Sequence, residues 1–271
     1  TMTYVFMAPV IISSLSPPVA SSSLLRSKLM GNMCTYFKYQ EILETPDDEL
    51  MKLVGQRSMV AVLMPHGVIS YGGICSACYP LRDETLMPNF PTAVASVVMQ
   101  LPILKHVMGV FGLLNASKKS LTKHMQQGKS FVLYTGGIAE LFLCSKTEEK
   151  LFLKNRKGFI KLALRNNADV TPTLLFGNTE VLDVLKNDFL QKLSRSAQVT
   201  MTWFWGLWGL PVPLPKQIVY VRGRPLGLPH IEEPTDEDVD KWHTKFCLEV
   251  QRLFETHKAD TDYNHKTLTI I

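Results

Sequence analysis

The sequence predicts an α/β fold: a three-layer sandwich around a mainly parallel central sheet. Three observations predict it. Apolar runs of strand length lack in–out alternation, as strands buried on both faces do. Helix-patterned stretches with capping residues separate these runs. Of the 271 residues 46% are hydrophobic and 20% charged, enough apolar matter for a substantial core.

The strand candidates come in order. Met59–Met64 (MVAVLM) is a continuous run rich in β-formers, followed by residues 92–98 (TAVASVV) and 130–134 (SFVLY). Residues 170–176 (VTPTLLF) are a fourth candidate, weakened by Pro172, and 218–221 (IVYV) a further one. Between them, residues 117–127 pattern as a helix that stops at Gly128, and Gly158–Arg165 as one that stops at Asn166-Asn167. The clearest helix is Asp236–His257. Thr235 and Asp238 form a near-capping box after Pro234, and Val239, Trp242, Phe246, Val250 and Leu253 mark one apolar face.

Two segments depart from this alternation. Residues 2–25 are apolar and serine-rich, hold Pro9, Pro17 and Pro18, and precede the first acidic residue, Glu41. Adjacent prolines make a poor spanning helix, so residues 1–30 read as a truncated membrane-proximal or targeting segment ahead of a domain over 31–271. Residues 200–229 hold three of the four tryptophans among prolines and glycines. They read either as an irregular packed loop plus a strand, or as an interfacial element, since tryptophan favours the headgroup zone.

Composition narrows the function. A net charge of +5 suits a phosphorylated cofactor or an anionic membrane surface, and is too dispersed for nucleic acid. The five cysteines include one close pair, Cys75 and Cys78, which lacks the second pair or histidines of a zinc site and reads as two small buried residues in a reducing compartment. A serine hydrolase elbow, a dinucleotide fingerprint and a phosphate-binding Walker loop are all missing from the sequence.

In open parallel sheets ligands bind at the carboxyl ends of the strands. Here the first strand delivers Pro65-His66-Gly67, the third delivers Thr135-Gly136-Gly137 and then Glu140, and the fourth delivers Gly177-Asn178. Taken alone, His66 reads as a turn histidine bonded to backbone, and Glu140 as a carboxylate offsetting a helix dipole. Converging on one face, they suit general-base chemistry. Gly136 and Gly137 either make a tight turn or let backbone amides approach an oxyanion or phosphate. Seven cationic residues between Lys146 and Arg165 would by default be a solvated helical face. Yet Arg156, Lys157 and Gly158 open a helix, whose N-terminus favours phosphate, and coenzyme A would be a fitting guest.

These residues resemble the type 2 diacylglycerol acyltransferase family. Residues 156–181 (RKGFIKLALRNNADVTPTLLFGNTEV) look like its Arg-x-Gly-Phe helix, Val-x-Pro strand and Phe-Gly turn, in register. MPHG (64–67) resembles its His-Pro-His-Gly or Glu-Pro-His-Ser box, and TGGIAE (135–140) its Pro-Gly-Gly-x-x-Glu box. Residues 95–106 and 234–258 resemble flanking helices, and order and spacing agree from about residue 31 to 258. The resemblance implies a glycerolipid-acyltransferase-like fold with membrane-associating segments. It implies an acyl-CoA-dependent enzyme of the endoplasmic reticulum membrane and lipid droplets that makes triacylglycerol from diacylglycerol.

His66 would be the general base, held at the rim by Pro65 and Gly67, with Glu140 orienting or electrostatic. Acyl-CoA would be a co-substrate rather than a cofactor, and neither metal nor covalent intermediate would be needed. Substrate contacts would come from Pro65, Gly67, Gly136, Gly137, Arg156, Lys157, Gly158, Asn178 and Lys118, the basic residue nearest a position where many members carry arginine. Met64, Thr135 and Asn178 depart from the family pattern, which bears on acceptor choice. A monoacylglycerol, a long-chain alcohol or a lysophospholipid is the rival acceptor, and an impaired lipid-binding protein the rival of another class.

Overall fold

Seven strands form the central sheet of the computed structural model, which describes residues 12–81, 89–143, 145, 147–197 and 202–271. The first eleven residues of the expected leading segment, Lys146, and residues 200 and 201 of the tryptophan-rich stretch lie outside the described residues. In chain order the strands are β1 (Gln40–Leu43), β2 (Met59–Met64), β3 (Thr92–Val94), β4 (Leu113–Asn115), β5 (Phe131–Tyr134), β6 (Glu148–Leu151), β7 (Asp169–Phe176), β8 (Asp183–Val184), β9 (Phe204–Trp205), β10 (Val219–Arg222) and β11 (Thr267–Ile270). The sheet order is β1-β10-β7-β2-β5-β3-β4, and two small sheets pair β6 with β11 and β8 with β9.

The sheet is mixed but mostly parallel. β7, β2, β5, β3 and β4 run the same way, β10 is antiparallel to β7, and β1 follows β10. β2 is central and bonded on both sides, which is why its sequence shows no alternation. Pro172 sits inside β7 without breaking the ladder. Its carbonyl accepts from Gly223 N–H at 2.9 Å, on the β10 side. A residue's N–H and C=O share a side, so the missing donor faces the end of the β10 ladder and not β2.

The two faces of β2 have different fates. Val60, Val62 and Met64 enter the larger core with the helices Gly158–Arg165 and Asp236–His257. Ala61 and Leu63 turn to the other face, toward the helices Lys28–Tyr36 and Tyr71–Cys78. Helix Asp236–His257 begins with a complete capping box, Asp238 N–H donating to Thr235 Oγ1 at 3.1 Å and Thr235 N–H to Asp238 Oδ2 at 3.0 Å.

Three expectations are adjusted. The strand over 92–98 ends at Val94, because residues 95–101 form turns such as Val98 N–H to Ala95 C=O. The strand expected over 218–221 spans Val219–Arg222 and runs antiparallel to its neighbour β7. The tryptophan-rich stretch contributes β9 and a 3-10 turn over Leu207–Gly209, yet leaves Trp203 and Trp208 66% and 82% exposed, so it is both loop and apolar surface. Cys75 and Cys78 are free and buried as expected, with Cys34 Sγ 3.8 Å from Cys78 Sγ. Residues of the leading segment also pack on the domain: Leu25 is buried, and Lys105 Nζ donates to Ser14 C=O at 2.9 Å. No helix among the described residues is long and apolar enough to cross a membrane.

Candidate active site

His66 stands two residues beyond the end of β2, half-buried on the wall of a cavity of about 890 Å³. The cavity occupies the sheet face onto which Ala61, Leu63, Val132 and Tyr134 project, and Met108 and Phe111 help enclose it. Its volume lies within the range of lipid-sized and cofactor-sized pockets, and its walls are mostly apolar side chains.

The imidazole has a defined tautomer. Nδ1 lies 2.8 Å from Gly67 C=O, and a carbonyl only accepts, so Nδ1 carries the proton. Nε2 is thereby left with a lone pair. Burial holds the ring's pKa below its ordinary value, partly offset by the Gly67 bond, so the ring is neutral at neutral pH. Tyr134, the last residue of β5, packs edge-to-face against it at 4.8 Å.

Glu140 meets the backbone and not the ring. Its Oε2 accepts from His66 N–H at 3.2 Å, and its Oε1 from Phe152 N–H at 3.2 Å. It is 1% exposed, and burial raises its pKa to about 7 against the pull of those two amides. Gly136 makes room for it, since a Cβ there would overlap the Glu140 carboxyl. Gly137 adopts φ +54°, ψ −146°, open to glycine and strained for any other residue, and so turns the chain from β5 into the short helix bearing Glu140.

Asn178, at the end of β7, closes the arrangement from below. Its Nδ2 donates to Pro65 C=O at 3.1 Å and His66 C=O at 2.7 Å, and its Oδ1 accepts from Gly72 N–H at 2.9 Å. Gly67 lies over it at φ +64°, where a Cβ would come within 2.9 Å of Asn178 Nδ2. Asn178 thus clasps the histidine loop to the helix Tyr71–Cys78 from a fully buried position. Asn178→Ala is expected to lower stability by about 2–4 kcal/mol, because three buried backbone groups lose a partner. Thermal unfolding would measure it. A change under about 0.5 kcal/mol would show that the loop holds itself.

The structure brings His66, Gly67, Gly137 and Arg156 onto one cavity and places Glu140, Gly136, Pro65 and Asn178 behind it. It does not bring Lys118 or Gly158 to the wall. Lys118 is exposed at the start of the helix Lys118–Gln126, and Gly158 faces open space. Lys157 turns away to Asp240 at 2.6 Å, and Lys161 to Asp236 at 3.3 Å. Only Arg156 of the basic opening reaches the cavity rim, with its guanidinium 5.1 Å over the Phe152 ring. Tyr134 and Ser70, which belong to no motif in the sequence, also stand on the wall, where their hydroxyls meet at 2.8 Å. Period-2 alternation from Val132 would have put Tyr134 on that face. Among the described residues, no three His, Cys, Asp or Glu side chains are grouped to hold a metal ion.

Fold and site together define an α/β protein with a deep apolar pocket and a neutral histidine at the carboxyl edge of its sheet. The family described as diacylglycerol acyltransferase matches residues 19–271. Diacylglycerol O-acyltransferase 2 of Danio rerio is 28% identical over 239 residues, covering 81% of this chain and 66% of that protein. Diacylglycerol O-acyltransferase 2-like protein 6 is 29% identical in Homo sapiens, covering 72% and 65% of the two chains, and 31% identical in Bos taurus, covering 76% and 68%. The chain belongs to the diacylglycerol acyltransferase family. It spans about two thirds of the length of these relatives.

Proposed function

We propose that the chain transfers a fatty acyl group from acyl-CoA to the free hydroxyl of diacylglycerol, forming triacylglycerol. The observation that carries this reading is neutral His66 on the wall of an apolar cavity, its Nε2 without a hydrogen-bond partner among the described residues. Nε2 takes the proton of the acceptor hydroxyl, its oxygen attacks the thioester carbonyl, and the carbon–sulfur bond breaks. The imidazolium then returns the proton to the departing coenzyme A thiolate. Histidine is restored, without a covalent acyl-enzyme. Glu140 acts as a positioning residue, holding the His66 and Phe152 amides.

Arg156 at the rim is suited to coenzyme A phosphate. Arg156→Ala is expected to raise the acyl-CoA KM by about tenfold or more. Lys157→Ala, whose ammonium Asp240 already engages, is expected to move it by less than about threefold. Steady-state kinetics with varied acyl-CoA would test both, and equal effects would remove Arg156 from coenzyme A recognition.

Attachment to a membrane, that of the endoplasmic reticulum or the surface of a lipid droplet, is supported by exposed apolar side chains. Ile103, Leu104 and Val107 are exposed beside the cavity, Leu104 also lines it, and Ile12, Leu15 and Val19 are exposed near the start of the chain. Such a patch would let a lipid acceptor pass from bilayer to pocket. The function is tested by incubating the full chain with labelled oleoyl-CoA and, in parallel, diacylglycerol, monoacylglycerol, a long-chain alcohol and a lysophospholipid. Labelled triacylglycerol supports the reading. Label in another ester changes the acceptor. Acyl-CoA binding without transfer would make the chain a lipid-binding protein.

A further inference from the structure

The thioester carbonyl gains negative charge when the acceptor oxygen attacks, and a site that speeds this step needs a hydrogen-bond donor aimed at that oxygen. At the Gly136-Gly137 turn the space beside Gly136 is taken up by the Glu140 carboxyl. Two side-chain hydroxyls stand on the cavity wall beside the base. Ser70, just ahead of the helix Tyr71–Cys78, donates to the Tyr134 oxygen at 2.8 Å. Tyr134 touches the His66 ring edge-to-face at 4.8 Å.

The direction of that bond decides what remains. Ser70 spends its proton on the phenol oxygen, so the phenolic proton is left over, and no acceptor for it is found among the described residues. Its place is held by packing. Gly73, in the first turn of the helix, lies so close beneath the Tyr134 hydroxyl that a Cβ there would overlap it. His66 and Tyr134 sit at the carboxyl ends of the paired strands β2 and β5, where Leu63 and Tyr134 are register partners. Base and donor are therefore fixed by one ladder. Burial also pushes the phenol pKa up, so the hydroxyl stays protonated at any working pH.

Resting on the acyl-transfer reading, we propose that Tyr134 is a second catalytic residue, its hydroxyl donating to the thioester carbonyl oxygen, with Ser70 as the positioning residue behind it. No proton is transferred by Tyr134. It stabilises the oxyanion while His66 Nε2 takes the acceptor proton, and the hydrogen bond weakens as the carbonyl re-forms and the thiolate leaves. The Ser70 bond raises the acidity of the phenol proton cooperatively, as chained hydrogen bonds do.

Tyr134→Phe removes the oxygen and keeps the ring against His66. With the full chain in detergent micelles, it is expected to lower kcat by about 10²-fold and to raise the oleoyl-CoA KM by no more than about tenfold. Ser70→Ala, which keeps the phenol, is expected to cost kcat about tenfold or less. Two uncleavable ligands separate donation from packing: an S-(2-oxoalkyl)-coenzyme A, which keeps a carbonyl, and an S-alkyl-coenzyme A of equal length, which lacks one. Tyr134→Phe should weaken the first by about tenfold and leave the second unchanged. Equal loss for both ligands, or a kcat within about threefold of an active wild type, overturns the assignment. A wild type that binds neither ligand and transfers nothing overturns the acyl-transfer reading, and this one with it.

Discussion

Replacing His66 with alanine is expected to lower acyl transfer by about 10²- to 10⁴-fold while leaving the protein folded. The size follows from what is lost. Nε2 is the lone pair that the Nδ1–Gly67 bond keeps available at the cavity wall, and no neighbouring side chain replaces it, since Glu140 is turned to the backbone amides of His66 and Phe152. The fold survives because the ring is only half-buried, and its hydrogen bond contributes about 1 kcal/mol. Wild type and His66→Ala in a host unable to make triacylglycerol, fed labelled oleate, would give the comparison. The pH profile follows from the same chemistry. The base works only when neutral, and its pKa is held below 6.5, so the acid limb of kcat/KM should fall below pH 6.5. Triacylglycerol synthesis persisting in the variant at more than about a tenth of wild type would remove His66 from the proton transfer.

His66 was legible in the sequence because two general rules meet at it. An unalternating run such as Met59–Met64 is a strand buried on both faces, and ligands gather where parallel strands end. The same rules found Glu140. They also found Asn178, but the wrong kind of contact for it, since its three hydrogen bonds run to Pro65, His66 and Gly72, more than a hundred residues away in the chain. Helices Gly158–Arg165 and Asp236–His257 were legible to the residue because their stops and caps are local. Local sequence says nothing of partners far along the chain. Lys157 reads as part of a phosphate-binding helix start, and Lys161 as part of a solvated basic face, yet Asp240 and Asp236, roughly eighty positions on, engage them. The reversal of β10 was illegible for the same reason: strand direction depends on the path of the connection, and residues 218–221 pattern alike either way up. β4, three residues long, carries too little periodicity to be read, and β3, of the same length, reads four residues too long.

Glu140→Gln is expected to change how stability depends on pH. In the native state the carboxyl keeps its proton up to about pH 7, whereas in the unfolded chain it would release it near 4.5. Between those values the native state binds the extra proton, so stability falls as pH rises. The contribution is fully present below about pH 4.5 and gone above about pH 7. The rise from 4.5 to about 7 corresponds to about 3 kcal/mol at 1.4 kcal/mol per pH unit. Glutamine does not ionise and lacks this slope. It also turns an NH₂ toward one of the two amide donors that the carboxyl oxygens accept, which costs about 1–3 kcal/mol at every pH. Glu140→Gln should therefore be the weaker protein near pH 4.5 and should recover about 3 kcal/mol relative to wild type by pH 8. Other carboxylates, such as Glu44 with its lowered pKa, titrate alike in both proteins and drop out of the difference. Urea unfolding of the two proteins across that range reads it directly. A difference that stays constant with pH would mean that the carboxyl is already ionised in its buried site. Two backbone N–H groups would then hold a full negative charge beneath His66, and the field at the imidazole would raise its pKa where burial lowers it.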